Sequence, residues 1–348
     1  MATRDARFTS AFGVELPLIQ APMAGVQDSA LTIAVANAGG LGSLPCAMLD
    51  AAAMGRELAA IRAGTDRPFN LNFFCHRPPE VDPVREAAWR EALRPYYREL
   101  GLDLEGVPSG PGRRPFDAAA VALIEEFRPP VVSFHFGLPE APLLERVRAT
   151  GARILSSATT VEEAIWLERQ GVAAVIAQGL EAGGHRGHFL SDDLSRQSGT
   201  FALLPRIVAA VRVPVIAAGG IADAAGAAAA RALGAAAVQA GTAFLLSDEA
   251  TTSRVHRAAI AGASAGHTTL TRLFTGRPAR GIVNRLIREL NPLDPAPAFP
   301  LATAAIAPLR AAAESRASGD FSPLWCGQNP SGCRAAAAAE IVRGLVDA

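Results

Sequence analysis

VPVIAAGGIADAAGAAAARALGAAAVQAGTAFL, residues 213–245, holds the smallest complete piece of the fold. A short apolar run ends on two glycines at 219 and 220. The helical pattern DAAGAAAARALG follows and closes on a glycine suited to a C-cap, and a second apolar run, AAVQAGTAFL, begins at 236. Runs apolar on both faces, separated by a helix, read as parallel strands buried under helices. The same alternation extends toward the N-terminus through AAVIAQG (173–179), RILSSA (153–158), VVSFHFG (131–137), FNLNFF (69–74), GLGSLPC (40–46) and PLIQAPM (17–23). With the two runs quoted first, these make eight strands, and eight alternating units in 348 residues predict an α/β fold of the TIM, or (β/α)8, barrel class. A doubly wound open sheet is the alternative, but its eighth unit would close nothing.

Two segments do not fit the alternation. About 55 residues separate FNLNFF from VVSFHFG, carrying the helical PVREAAWREALRPYYREL and the loop GVPSGPGRRP. A connection this long is read as functional or disordered, here as a long insertion after strand 3 that covers the barrel mouth or as a passive surface excursion. The second is a mostly helical tract after the last strand. The expected division is a barrel over 1–246, a small helical second domain covering the active site over 247–318, and a C-terminal segment returning to the barrel over 319–348.

Composition narrows the function. Half of the residues are apolar, 19% are charged and the formal net charge is zero, so neither a nucleic-acid nor a membrane surface is advertised. The chain contains no lysine. Schiff-base chemistry and a P-loop lysine are therefore excluded, and any phosphate must be held by arginine, hydroxyls or backbone N–H groups. Cys46, Cys75, Cys326 and Cys333 show no C-x-x-C spacing and read as reduced thiols of a cytoplasmic protein. The opening MATRDARFTSAFGVELPL lacks the apolar core of a signal peptide.

Barrel active sites lie at the C-terminal ends of the strands. Residues just past each run are Gln20 to Met23, Asn72, His135, Gln178 through His185, Gly219 with Gly220, and Gln239 through Thr242. AAGGIAD and QAGTAF follow the seventh and eighth strands, where barrels commonly hold phosphate. Their glycines let backbone N–H groups approach an anion, and Thr242 adds a hydroxyl. Met23, taken alone, reads as core packing, although a flat apolar ring could rest on it. In GLEAGGHRGHF (179–189), His185 reads as a general base, a substrate-orienting imidazole or a surface histidine. His188 follows three residues later, but H-x-x-H with the solvated Asp192 and Asp193 does not make a metal site.

LPLIQAPMAGV, NAGGLGSL, FNLNFFCHRPP, VVSFHFGLP, AQGLEAGGHRG, VIAAGGIAD, VQAGTAFL, FTGRPARGI and the closing PLWCGQ together resemble the nitronate monooxygenase family, formerly called 2-nitropropane dioxygenases. The resemblance spans nearly the whole chain, and VSFHFG and EAGGHRG are its most specific parts. It implies a flavoprotein oxidoreductase that binds FMN and oxidises alkyl nitronates, such as propionate 3-nitronate, with O2 to carbonyl compounds and nitrite. It further implies that Asn72, Gln178, Gly183, Gly220, Gln239, Ala240, Gly241 and Thr242 contact FMN, that Met23 sits against the flavin, that His135 lines the substrate pocket and that His185 is the catalytic histidine. Protonated His185 could anchor the anion, or neutral His185 could deprotonate a nitroalkane. Cys326 departs from the small residue that often precedes GQ, beside the expected flavin ring. The alternatives are an FMN-dependent NAD(P)H reductase of the enoyl-acyl-carrier-protein or quinone type, and a non-catalytic flavin sensor.

Overall fold

The computed structural model describes residues 4–107, 113–291, 293 and 296–346. Part of the loop GVPSGPGRRP, residues 108–112, therefore lies outside the described residues. The barrel strands are β1 (Leu18–Gln20), β2 (Gly42–Pro45), β3 (Phe69–Phe74), β4 (Val131–His135), β5 (Arg153–Ala158), β6 (Ala174–Gln178), β7 (Val215–Ala218) and β8 (Ala237–Ala240). From β2 to β8 each pairs in parallel with the next, and β8 pairs in parallel with β1. A parallel bridge between Ile19 and Leu41 joins β1 to the start of β2, with Gln20 N donating to the Leu41 carbonyl at 3.0 Å. The expected α/β TIM barrel is thus the observed architecture.

Strand-to-helix turns are set by local chemistry. Asp28, Asp50, Asp117, Thr160 and Asp223 each precede a helix and accept a hydrogen bond from a first-turn amide, satisfying donors that the helix itself leaves open. The layer between strands and helices forms the largest core, where Leu58, Leu71, Phe134, Leu167 and Phe244 are fully buried. The place of an eighth outer helix is taken by Ala338–Val346, which packs on the helices Ser29–Asn37 and Ala224–Ala232.

The N-terminal stretch, read in the sequence only for its lack of a signal core, forms the helix Arg4–Phe12. Its Phe8 and Phe12 close the floor of the barrel against Ile19, Leu41, Val131, Leu155, Ile176 and Ile216. The interior is therefore a plugged core at one end, and ligand space is confined to the other.

The insertion after β3 and the tract after β8 share a second core. Trp89, Leu93, Tyr96 and Tyr97 of the helix Pro83–Leu100 pack with Leu273, Phe274, Leu286, Ile306, Leu309 and Phe321. The Tyr97 hydroxyl donates to the Ala305 carbonyl at 2.6 Å, and Arg285 pairs with Glu99 at 2.7 Å. The tract is not helical throughout. Thr268–Thr271 and Ala279–Ile282 form an antiparallel pair, and Ala279–Ile282 also pairs with the two-residue strand Gly184–His185. No helix among the described residues is long and apolar enough to cross a membrane.

Candidate active site

A cavity opens at the C-terminal ends of the barrel strands, where barrels place their active sites. Its lining includes Met23, Asn72, His135, Gln178, Gly183, His185, Gly220, Gln239, Ala240, Gly241 and Thr242. The barrel brings these eleven residues to one space, whereas Gln20, also at a strand end, is buried outside the lining. Met23 does two things at once, since it packs against the core and faces the cavity.

The end of the cavity under β7 and β8 is suited to an anion. Gly220 adopts a φ of +77°, a conformation that side-chain-bearing residues rarely take. The amides of Gly220 and Gly241 donate to no protein acceptor among the described residues, and backbone N–H groups at a barrel mouth do not stay unpaired without a partner. Thr242 supports the same end by accepting from Gly327 N at 2.9 Å through its hydroxyl. Gly183 is required for a different reason than approach to a ligand: a Cβ there would come within 2.6 Å of the Cys326–Gly327 backbone, which crosses the loop.

The loop that carries His185 is braced from beneath. Arg186, with none of its surface exposed, donates to the Gln197 amide oxygen at 2.8 Å, to Gly179 O at 2.7 Å and to Gln178 O at 2.9 Å. The His185 carbonyl accepts from Gln178 Nε2 at 3.0 Å and from His135 Nε2 at 3.2 Å. His135 Nδ1 meets the Ser157 hydroxyl at 3.0 Å. Both nitrogens of His135 and both ends of the Gln178 amide, whose oxygen accepts from Gly187 N at 2.8 Å, are thus committed to shaping the loop.

His185 itself is half-buried on the cavity wall, ringed by Phe74, Phe136, Phe299 and Trp325. Its Nε2 lies 2.9 Å from the Thr275 hydroxyl, which also reaches the Arg277 carbonyl at 3.4 Å. A hydroxyl that donates to that carbonyl is left to accept from Nε2–H. Nδ1, with no partner among the described residues, then carries the lone pair. Burial, and after it the cations Arg113 and Arg277 with neighbouring imidazoles, holds His185 well below the ordinary histidine value. That direction favours the neutral imidazole.

His188 does not share this space. It is buried, lies 3.3 Å from Asp192 and is lowered to about 3 by desolvation and then by Arg277. Among the described residues no three His, Cys, Asp or Glu side chains group closely enough to hold a metal ion. Cys326 requires a correction, because it is fully buried and absent from the cavity lining while its neighbours Trp325 and Gly327 line it. Side chains on successive residues of an extended segment point to opposite faces, and the Cys326 thiol falls on the inner one, pushed up to about 12 by burial.

Sequence reasoning missed Thr275, which stands inside FTGRPARGI without any chemistry of its own. It also missed Arg113 and Trp325, which enter the cavity from the insertion and the tail.

The nitronate monooxygenase family model matches residues 5–348. The chain belongs to the nitronate monooxygenase family. A nitronate monooxygenase of Pseudomonas aeruginosa is 43% identical over 98% of both chains, and one of Paraburkholderia phytofirmans is 43% identical over 96% of this chain and 92% of that one. Among solved structures, a nitroalkane oxidase from Streptomyces ansochromogenes superposes with a TM-score of 0.89 at 39% identity, covering 97% of this chain and 96% of the other. FabK from Thermotoga maritima gives 0.70 at 26%, over 99% and 95%. Membership in the nitronate monooxygenase family makes the protein an oxidoreductase.

Proposed function

We propose that the protein is an FMN-dependent nitronate monooxygenase that oxidises alkyl nitronates, such as propionate 3-nitronate, with O2 to carbonyl compounds and nitrite. The observation that carries the reading is the neutral His185, with Nδ1 unpartnered on the cavity wall and Nε2 fixed by Thr275. Gly220, Gly241 and Thr242 would hold the monophosphate through their amides and the hydroxyl. Asn72, Gln178, Gly183, Gln239 and Ala240 would line the remainder of the nucleotide, with Met23 against its ring. When bound, the flavin supplies an electron sink for an electron-rich carbanion-like substrate.

The chain's own residues supply the rest. Nδ1 of His185 takes the α-proton from a neutral nitroalkane, and a preformed nitronate needs no such step. The ring cluster of Phe74, Phe136 and Phe299 with Trp325 surrounds the imidazole, and the resulting desolvation favours its neutral form. His135 and Gln178 hold the backbone from which it projects. The second core, built from the insertion and the 247–318 tract, is the element we assign to covering the site. Four free cysteines and a formal net charge of zero favour a cytoplasmic enzyme acting on small molecules, without a nucleic-acid or membrane partner.

The test is spectroscopic. The purified protein should be yellow and release FMN on denaturation, and anaerobic propionate 3-nitronate should bleach it. Bleaching by NAD(P)H without bleaching by the nitronate would favour the reductase reading that the FabK likeness keeps open. A colourless protein that takes up no FMN, or one that releases FAD, would contradict both.

A further inference from the structure

We propose that Arg113 selects substrates by charge, its guanidinium receiving a carboxylate carried on the nitronate away from the carbon that is oxidised. The inference rests on the proposed function and adds the residue that recognises the charged end of such a substrate. Arg113 belongs to the connection after β3, across the barrel mouth from the glycine loops of β7 and β8. It lines the active-site cavity and, with Phe74, also the wall of a second one. Arg113 and His185 face the same cavity, and the Arg113 charge acts on the imidazole.

The guanidinium has no partner that matches its charge. No carboxylate stands within ion-pair distance among the described residues. Its contacts are the Met48 sulfur at 3.7 Å and the Phe299 ring at 5.9 Å. Asp50 and Asp117, the acids that line the second cavity beside it, are spent capping helices by accepting from Ala53 N at 2.7 Å and Ala120 N at 3.0 Å. The other cation near His185, Arg277, differs in this respect: it donates to the carbonyls of Arg186 and His188 and stacks on Phe136 at 4.1 Å.

The backbone of Arg113 is nevertheless fixed, because the buried His76 donates through Nε2 to its carbonyl at 3.2 Å. Desolvation, and then the charge of Arg310, lowers the guanidinium to about 10, which leaves it charged at neutral pH. A half-buried guanidinium that lines the cavity without a counter-ion among the described residues is free to meet an anionic ligand. Arginine meets a carboxylate with two parallel donors. With His185 neutral, Arg113 is the charge available for that ligand.

The test compares propionate 3-nitronate with propyl-1-nitronate, which puts a methyl group where the first has its carboxylate. In Arg113→Met the ratio of their kcat/KM values should fall about 10- to 150-fold, the worth of one charge-assisted hydrogen bond, mainly through KM of the carboxylated substrate. Arg113→Lys should recover part of it, and both variants should bind FMN as the parent does. Equal losses for the two nitronates, or none, would overturn the assignment. A second readout does not depend on turnover: propionate should perturb the bound flavin's absorbance with a Kd that rises at least 10-fold in Arg113→Met. An unchanged Kd overturns charge selection. A parent enzyme that oxidises neither nitronate overturns the proposed function instead, and the propionate titration still decides for or against Arg113.

Discussion

His135 Nε2 donates to the backbone carbonyl of His185 at 3.2 Å. One histidine therefore holds the main chain of the other, and the two conserve a division of labour: His135 and Gln178 fix where the loop runs, while Thr275 fixes how the His185 ring is turned. The ring's unpartnered nitrogen follows from that arrangement.

Thr275→Val should leave FMN bound but remove the acceptor that holds Nε2–H. The expected loss is about 2- to 13-fold in kcat for a neutral nitroalkane, the worth of one neutral hydrogen bond, with a smaller effect on a preformed nitronate. Steady-state kinetics on both substrates checks this, and Thr275→Ser should restore the parent rate.

Gly220→Val should abolish FMN retention. The valine would have to take a φ of +77°, so the turn would reorganise and its amide would leave the anion site. Flavin content after gel filtration measures it, and a normal content would remove the cradle from the account.

Stability should fall as pH drops below about 6.5, above the range in which carboxylates titrate. Burial is the first cause of lowering for all of His76 (to about 4), His135 (about 3), His188 (about 3), His256 (about 4) and His185 (well below its ordinary value). Between pH 6.5 and the folded values the unfolded chain binds protons that the folded one does not. Unfolding free energy therefore decreases with falling pH, by up to about 1.4 kcal/mol per unit for each histidine. Thermal unfolding at pH 7.5 and 5.5 should show a clear drop in Tm, and an unchanged Tm would mean that these imidazoles are not held neutral.

Phe8→Ala should cost about 3–5 kcal/mol, since a fully buried ring leaves a cavity in the barrel floor. The urea midpoint reports the loss, and the spectrum of bound flavin at the other end of the barrel should be unaltered.

The barrel was legible because its signal is local and repeated: each of β1 to β8 falls within an apolar run bounded by turn residues, and the site residues follow from where those runs stop. What was illegible depends on distant partners. His185 sits in a two-residue strand whose register is set by Ala279, and nothing in EAGGHRG announces that pairing. Gly183 lines the cavity as expected, but that a Cβ on it would also meet the Cys326–Gly327 backbone within 2.6 Å is nowhere announced in the sequence. Arg113 is distinguished by what it lacks, a counter-ion, and the absence of a partner is a property of the folded molecule alone.

The central claim is that His185 is a neutral base aimed into a flavin site, and His185→Asn tests it most directly. The variant should bind FMN fully and lose roughly 10²- to 10⁴-fold in nitroalkane oxidation, while oxidising preformed propionate 3-nitronate nearly as the parent does. Parent rates on both substrates in the FMN-loaded variant would contradict the account.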